Sequence, residues 1–329
     1  MRVLKKAKDR DFIVLNLSDP QLSNQEWQEG RAEGRNLTKT VTCLINKVKP
    51  DLITVSGDLA WAGHYESYEH LADLLDSFGI PWAPVFGNHD NQGGAEQVEK
   101  AAEILRQRKH CLLERGDPAL GYGNYVIGIE EEGHLLHALL LMDSHDRKLR
   151  SEEEPLYWAE LIPEQFVWYR EQISALKALG AKETSLILHI PLYTYRDAFH
   201  AAKKETIDRF DMAPEDGAQV GCWNEGYEDS FGVVFEEEVL NGYPDGICSY
   251  PDDNGFFDEI LQNDSTKLVL CGHDHINSLS VCYRGVRLMY GLKTGSGCYW
   301  DKRLNGGTVL RIDSDGHVSA EHCFYVANA

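Results

Sequence analysis

Gly87-Asn88-His89-Asp90 follows the apolar run Trp82 to Phe86, and Gly272-His273-Asp274-His275 follows another, Lys267 to Cys271. Both runs are short, apolar and bounded by turn residues, so they read as strands. The same pattern recurs upstream. Phe12 to Leu17 runs into Ser18-Asp19-Pro20-Gln21, Leu52 to Val55 into Ser56-Gly57-Asp58, and Leu186 to Ile190 carries His189 at its end. Between these runs, Gly34 to Val48, Ser67 to Phe78, Gly94 to Arg108 and Pro163 to Leu179 have helical spacing. Pro163 suits a first helical turn and Gly180 a stop. Tyr125 to Ile129 and Leu135 to Met142 read as further strands.

From about Ser278 the chain turns all-β. Arg284-Gly285 looks like a hairpin tip, and Thr308 to Ile312 and Val318 to Tyr325 look like closing strands. Alternating strands and helices followed by antiparallel strands imply an α/β fold of sheets covered by helices. One stretch breaks the rhythm. About eighty residues separate the strands near His189 and Cys271, where a connection is normally a few residues long. A segment of that length, 193–264, is expected to be a cap or lid insert within a single domain, 1–329.

The chain has 329 residues, 43% hydrophobic and 26% charged, ordinary values for a globular protein. Lys and Arg number 32 and Asp and Glu 53, a net charge of −21. Such a chain repels nucleic-acid backbones and anionic lipid, so those partners are disfavoured. Binding a small anion would need a local inversion of the field, which a metal ion supplies. The eight cysteines form no C-x-x-C pair, which points to free thiols in a reducing compartment. Met1 to Asp11 lacks the apolar core of a signal peptide, so cytoplasm is the default expectation. The longest apolar run, Leu135 to Met142, is too short to span a bilayer. Oligomeric state is not legible.

In an α/β sheet, ligands bind beyond the carboxyl ends of the strands. Five strand ends therefore deliver carboxylates, amides and imidazoles to one edge, a donor set suited to metals. These blocks, in this order, resemble the calcineurin-like metallophosphoesterases, whose signature runs D-x-H, G-D, G-N-H-D/E, H, G-H-x-H. The run Gly272 to Asn277, with Tyr290-Gly291 after it, is most similar to the purple-acid-phosphatase-related branch. The resemblance covers most of the chain outside the insert. It implies a four-layer α/β/β/α sandwich of two mixed sheets and two divalent metal ions. One ion would take Asp19, Gln21, Asp58 and His275, the other Asp58, Asn88, His189 and His273.

Two positions depart from the signature. Gln21 stands for the first His, as in the D-x-Q members similar to manganese-dependent ADP-ribose pyrophosphatases. Its amide leaves the first site with three oxygen donors and one nitrogen, which favours Mn, Fe or Mg, with Zn the alternative. Trp61 occupies the place where purple enzymes carry a tyrosine ligand, so the protein should be colourless.

The implied activity is hydrolysis of a small phosphorylated substrate by a metal-bridging hydroxide, with a phosphomonoester favoured. A phosphodiester, a nucleotide diphosphate, or a non-enzymatic metal-binding scaffold are the alternatives. His89, beside ligand Asn88, is assigned to protonating the leaving group or stabilising the transition state, with Asp90 orienting it. His64, His145, Tyr193, Tyr195 and Lys293 could meet substrate, each against a plainer reading as surface or packing residues.

Overall fold

The computed structural model describes residues 1–148, 157–204, 223–234 and 245–325. In chain order its strands are β1 (Arg2–Lys5), β2 (Phe12–Leu17), β3 (Leu52–Ser56), β4 (Trp82–Val85), β5 (Tyr125–Glu131), β6 (His134–Leu141), β7 (Arg147–Lys148), β8 (Tyr157–Trp158), β9 (Glu183–Ile187), β10 (Thr266–Cys271), β11 (Ser280–Tyr283), β12 (Val286–Tyr290), β13 (Gly306–Ile312) and β14 (Val318–Phe324). The helices are α1 (Ala32–Val48), α2 (Tyr65–Asp76), α3 (Asn88–Asn91), α4 (Ala95–Arg106), α5 (Pro163–Ala178), α6 (Thr194–Ala202) and α7 (Phe256–Asn263).

Two mixed sheets carry the fold. One has seven strands in the order β1-β5-β6-β9-β10-β12-β11, the other five in the order β14-β13-β2-β3-β4. Side chains alternate between the faces of a strand, and that alternation sorts the core into two layers. Leu139 and Leu141 of β6 and Leu268 and Leu270 of β10 join the cluster between the sheets. Their neighbours Ala138, Leu140, Val269 and Cys271 join the cluster containing the buried faces of α5, α6 and α7. Helices α1, α2 and α4 cover the five-stranded sheet. α1 buries Leu37, Val41, Leu44 and Ile45, which recur at helical spacing on one face. The α/β/β/α sandwich implied by the resemblance is therefore the fold.

Strands β2, β3 and β4 are neighbours and parallel. So are β6, β9, β10 and β12. The polar blocks read from the sequence thus leave both sheets at the same kind of end, which gathers them. The Arg284-Gly285 hairpin is also present, with both residues at positive φ (51° and 83°), the geometry a two-residue turn requires.

Some boundaries differ from the reading. β9 begins at Glu183, three residues before the apolar run. Its polar residues are buried yet paired: Thr184 Oγ1 lies 2.8 Å from Thr266 Oγ1 and Ser185 Oγ 2.9 Å from His137 Nε2. β1 escaped notice because it is an exposed edge strand without an alternating pattern. The two ends of the 193–264 segment are α6 and α7, which bury Tyr195, Ala198, Phe199, Phe256 and Ile260 against the seven-stranded sheet. They belong to the body of the sandwich. Much of the stretch between them lies outside the described residues.

Candidate metal centre

The carboxyl ends of β2, β3, β4, β9 and β10 bring Asp19, Asp58, Asn88, His189 and His273 together. Asp19, Asp58 and His275 each place a ligand atom within 4.8 Å of the others, all three buried. His275 Nε2 is 3.3 Å from Asp19 Oδ1. On the other side, His189 Nε2 is 3.3 Å from Asp58 Oδ2, 3.0 Å from Asn88 Oδ1 and 3.3 Å from His273 Nδ1. Asp58 is the side chain common to both groups.

Backbone geometry sets these positions. Asp19, Gln21, Asp58 and His273 have φ of 51°, 42°, 47° and 80°, a region side-chain-bearing residues seldom adopt. Strain of this kind concentrates at functional sites. Two glycines in the motifs exist for close approach. A Cβ on Gly57 would lie 2.5 Å from His189 Cγ, and one on Gly87 would lie 2.5 Å from Asp58 N. Each glycine before a ligand is thus where another ligand packs.

The imidazoles are held from behind. His189 Nδ1 donates to the Ser56 carbonyl at 2.9 Å, and His275 Nδ1 to the Tyr299 carbonyl at 2.8 Å. A carbonyl only accepts, so in the neutral rings both Nε2 atoms present lone pairs to the centre. His189 Nε2 therefore faces the Asn88 carbonyl oxygen and the Asp58 carboxylate. Burial works against charge on His189, yet Asp58 and Asp19 push it up to about 10. Burial likewise opposes the Asp58 charge, but His189 and His89 hold that carboxyl below its usual range. The two buried carboxylates thus favour a positive charge beside them.

Gln21 supplies a direct test of fit. Its side chain is fully buried, yet neither its amide oxygen nor its amide nitrogen has a hydrogen-bond partner. A buried primary amide without partners is costly. Its backbone N–H donates to Asp58 O at 3.0 Å, which fixes it beside the group of Asp19, Asp58 and His275. An oxygen donor awaiting a cation accounts for it.

The remaining sequence candidates fall in different places. His89 is half-buried, with its ring 4.3 Å from that of Trp61 and Nδ1 3.0 Å from Gln92 Oε1. Its backbone N–H donates to Asp58 Oδ1 at 2.8 Å. Asp90 does not orient His89, which corrects the expectation. Its carboxylate accepts from Tyr68 Oη at 2.6 Å and from the backbone N–H groups of Gly87, Leu59 and Ala60. It knits the loop carrying Asp58 to the loop carrying Asn88, and burial with the nearby Asp58 charge raises it to about 7.

Tyr195 is also corrected. It is wholly buried, and its hydroxyl donates to the carbonyls of Val269 and Met289 behind the sheet. Lys293 does not reach outward: it is buried and its ammonium donates to the Asp19 carbonyl. Burial lowers it to about 8. His145 Nε2 lies 2.8 Å from Gln165 Oε1 of α5, and its backbone N–H donates to Asp143 Oδ1. His64 Nδ1 accepts from the Asn24 N–H at 3.3 Å, tying down the turn after Gln21. Tyr193 is half-buried at the start of α6, with Arg196 over its ring at 5.7 Å.

Tyr299 is the residue the sequence concealed. Its ring stacks on His275 at 4.1 Å and 9°, its carbonyl holds that imidazole, and its hydroxyl donates to His273 O at 3.3 Å. No motif marks it.

A family model described as calcineurin-like phosphoesterase matches residues 13–277. The chain belongs to that family. It is similar to two Arabidopsis thaliana proteins named probable inactive purple acid phosphatase 14 and 29, at 23% and 22% identity over 82% and 92% of this chain. The chain spans 65% of the length of the first and 77% of the second. A solved dimetal phosphatase from Danio rerio superposes with a TM-score of 0.58 at 11% identity, over 95% of this chain and 96% of that one, a likeness of fold. No helix among the described residues is long and apolar enough to cross a membrane.

Proposed function

We propose that the chain hydrolyses a small phosphomonoester at a pair of divalent cations. The observation that carries the reading is Asp58, one buried carboxylate shared between the Asp19–His275 group and the Asn88–His189–His273 group. In this reading Asp19, Gln21, Asp58 and His275 hold one ion, and Asp58, Asn88, His189 and His273 the other. Two such ions activate water and neutralise phosphoryl oxygens.

The chain's own residues do the rest. Asp58, shared by the two groups, would be the carboxylate that offsets the repulsion between two like charges. Ser56 and Tyr299 carbonyls lock the tautomers of His189 and His275. Gln92 Oε1 accepts from His89 Nδ1–H, so it is the imidazolium form of His89 whose Nε2–H would be given up to the departing alkoxide. The oxygen-rich first group favours Mn, Fe or Mg.

Gln21 favours one second reading, hydrolysis of a nucleotide diphosphate, because D-x-Q is the form of the pyrophosphatase-like members. The deciding experiment is a matrix of Mn, Mg, Fe, Zn and Co against a chromogenic monoester, its diester and a nucleotide diphosphate. Monoester turnover abolished by Asp58→Asn is the expected result. Hydrolysis of none of them with any metal, in protein that binds two ions, would leave a metal-binding scaffold instead.

A further inference from the structure

Four polar residues lie where central strands should present apolar ones. Asn16 of β2 and Ser18 just after it fall on one face, as do Thr54 and Ser56 of β3, and all four are fully buried. Burying a hydroxyl or an amide is costly unless it is hydrogen-bonded, and these are bonded to one another. Thr54 Oγ1 lies 3.0 Å from Asn16 Oδ1, Asn16 Nδ2 3.0 Å from Ser56 Oγ, and Ser56 Oγ 3.1 Å from Ser18 Oγ. Ser18 Oγ in turn meets Asp19 Oδ2. The seven-stranded sheet closes over the row: a Cβ on Gly272 would lie 2.5 Å from Ser18 Oγ, and one on Gly291 2.7 Å from Asn16 Nδ2.

The supply of hydrogens fixes the direction of every bond. The Asp19 carboxylate only accepts, so the one hydrogen of Ser18 goes to it. Ser18 then accepts from Ser56, whose competing acceptor, Leu17 O, is farther away at 3.4 Å. Ser56 accepts from Asn16 Nδ2, which turns the Asn16 carbonyl to the Thr54 hydroxyl. The bonds therefore run one way, from Thr54 to Asp19, and bonds in such a chain strengthen one another. The His273 N–H is 3.2 Å from both Asp19 oxygens and favours neither. Oδ1, which the chain does not reach, is the oxygen 3.3 Å from His275 Nε2.

We propose that Thr54, Asn16, Ser56 and Ser18 are positioning residues, a one-way hydrogen-bond chain that turns Asp19 so that Oδ1 meets the cation of the Asp19–His275 group. This rests on the paired-cation reading and deepens it. Groups that hold a ligand from behind are worth about 10-fold to 100-fold in metal affinity.

Calorimetric titration of Mn into the metal-free full chain reads the two ions as two steps. Ser18→Ala should weaken one step by about 10-fold to 100-fold and leave the other; two unchanged steps in folded protein overturn the inference. Direction gives a sharper readout. In Asp19→Asn, Ser18 must still donate, so it holds the oxygen of the new amide and turns the NH2 toward the cation. Asp19→Asn should therefore weaken that step further than Ser18→Ala does. Removing the hydroxyl as well lets the amide turn round, and the double variant should bind this ion about 10-fold tighter than Asp19→Asn alone. The same Ser18→Ala change thus acts in opposite senses in the two backgrounds, which a loss of packing could not do. Equal or weaker binding in the double variant overturns the one-way chain. Neutron diffraction from the deuterated, unaltered protein decides the direction without any variant: Ser56 donating to Ser18 and Ser18 to Asp19 supports the chain, and Ser18 donating to Ser56 overturns it. An unaltered chain that binds no divalent cation overturns the paired-cation reading and this inference with it, whereas failure of the chain alone leaves that reading standing.

Discussion

Gly87→Ala tests how the centre is built, because the added methyl lands inside it. The new Cβ would lie 2.5 Å from Asp58 N, 2.8 Å from His189 Cδ2 and nearer still to Asp58 Oδ1. Ordinary carbon contacts begin near ~3.5 Å, so the overlap is about 1 Å on more than one side. Neither neighbour is a flexible side-chain end. Asp58 Oδ1 is held by the His89 N–H at 2.8 Å, and His189 is held by Ser56 O at 2.9 Å. The methyl must therefore move Asp58, His189 or the end of β4 by several tenths of an ångström. Overpacking of this kind costs about 1–3 kcal/mol of stability, which a core of this size withstands. Metal sites tolerate far less, about 0.2 Å in a ligand distance. The expected result is folded protein, by far-ultraviolet circular dichroism, with Mn affinity down at least ~10-fold to 100-fold by isothermal titration. Wild-type affinity for two ions in folded Gly87→Ala protein would show that Asp58 and His189 are not held where this reasoning places them.

His89→Ala should lower turnover by about 10²–10⁴ while metal content, read by elemental analysis, is unchanged, since the bond to Asp58 comes from the His89 backbone. Protein purified without added metal should contain Mn, Fe or Mg and show no visible charge-transfer band in absorption, because Trp61 stands where a tyrosinate would; zinc in both sites, or a band, goes against this. Acid stability should depend on His137, which is buried with its ring nitrogens on Gly316 O and Ser185 Oγ. Burial lowers it from the ordinary 6.5 to about 4, so the unfolded chain takes up this proton first as pH falls. Its contribution is present above about 6.5 and is lost between there and about 4, roughly 3 kcal/mol in all; urea midpoints across that range should fall less steeply in His137→Gln.

The centre was legible where local sequence and strand ends coincide. Asp19, Asp58, Asn88, His189 and His273 each follow a strand core closely, and neighbouring parallel strands must deliver such positions to one edge. Asp90 was misread for an equally local reason. It and His89 are consecutive on the turn α3, so their side chains point about 100° apart. His89 packs on Trp61 and Gln92, and Asp90 turns to the backbone N–H groups of Gly87, Leu59 and Ala60. Tyr195 looked accessible because it follows His189 closely in sequence. Its spacing with Ala198, Phe199 and Ala202 marks a buried helical face, and that pattern was hidden by reading the whole segment as an insert. Tyr299 could not be found in this way. It lies well beyond His275 in the chain, and only the return of a loop from β12 brings its ring onto that imidazole.

The position of the centre within the fold has an energetic reason. Asp19, Gln21, Asp58 and His273 each hold left-handed backbone, at a cost of order 1–3 kcal/mol apiece. Two buried carboxylates and an unpartnered amide add to that. The sum rivals the whole stability of an ordinary domain, about 5–15 kcal/mol. Such a set cannot hold itself in place, and none of its members is fixed by local propensity. It is held because each strained residue follows a strand locked into a sheet on both sides: β2 lies between β13 and β3, β3 between β2 and β4, and β10 between β9 and β12. A cation that ligates Asp19, Gln21 and Asp58 would recover the polar part of the cost but not the backbone part. The sandwich must therefore be stable enough to carry the strain before any metal arrives, which is why the strained residues follow central strands, whereas Asn88, without left-handed backbone, follows the edge strand β4.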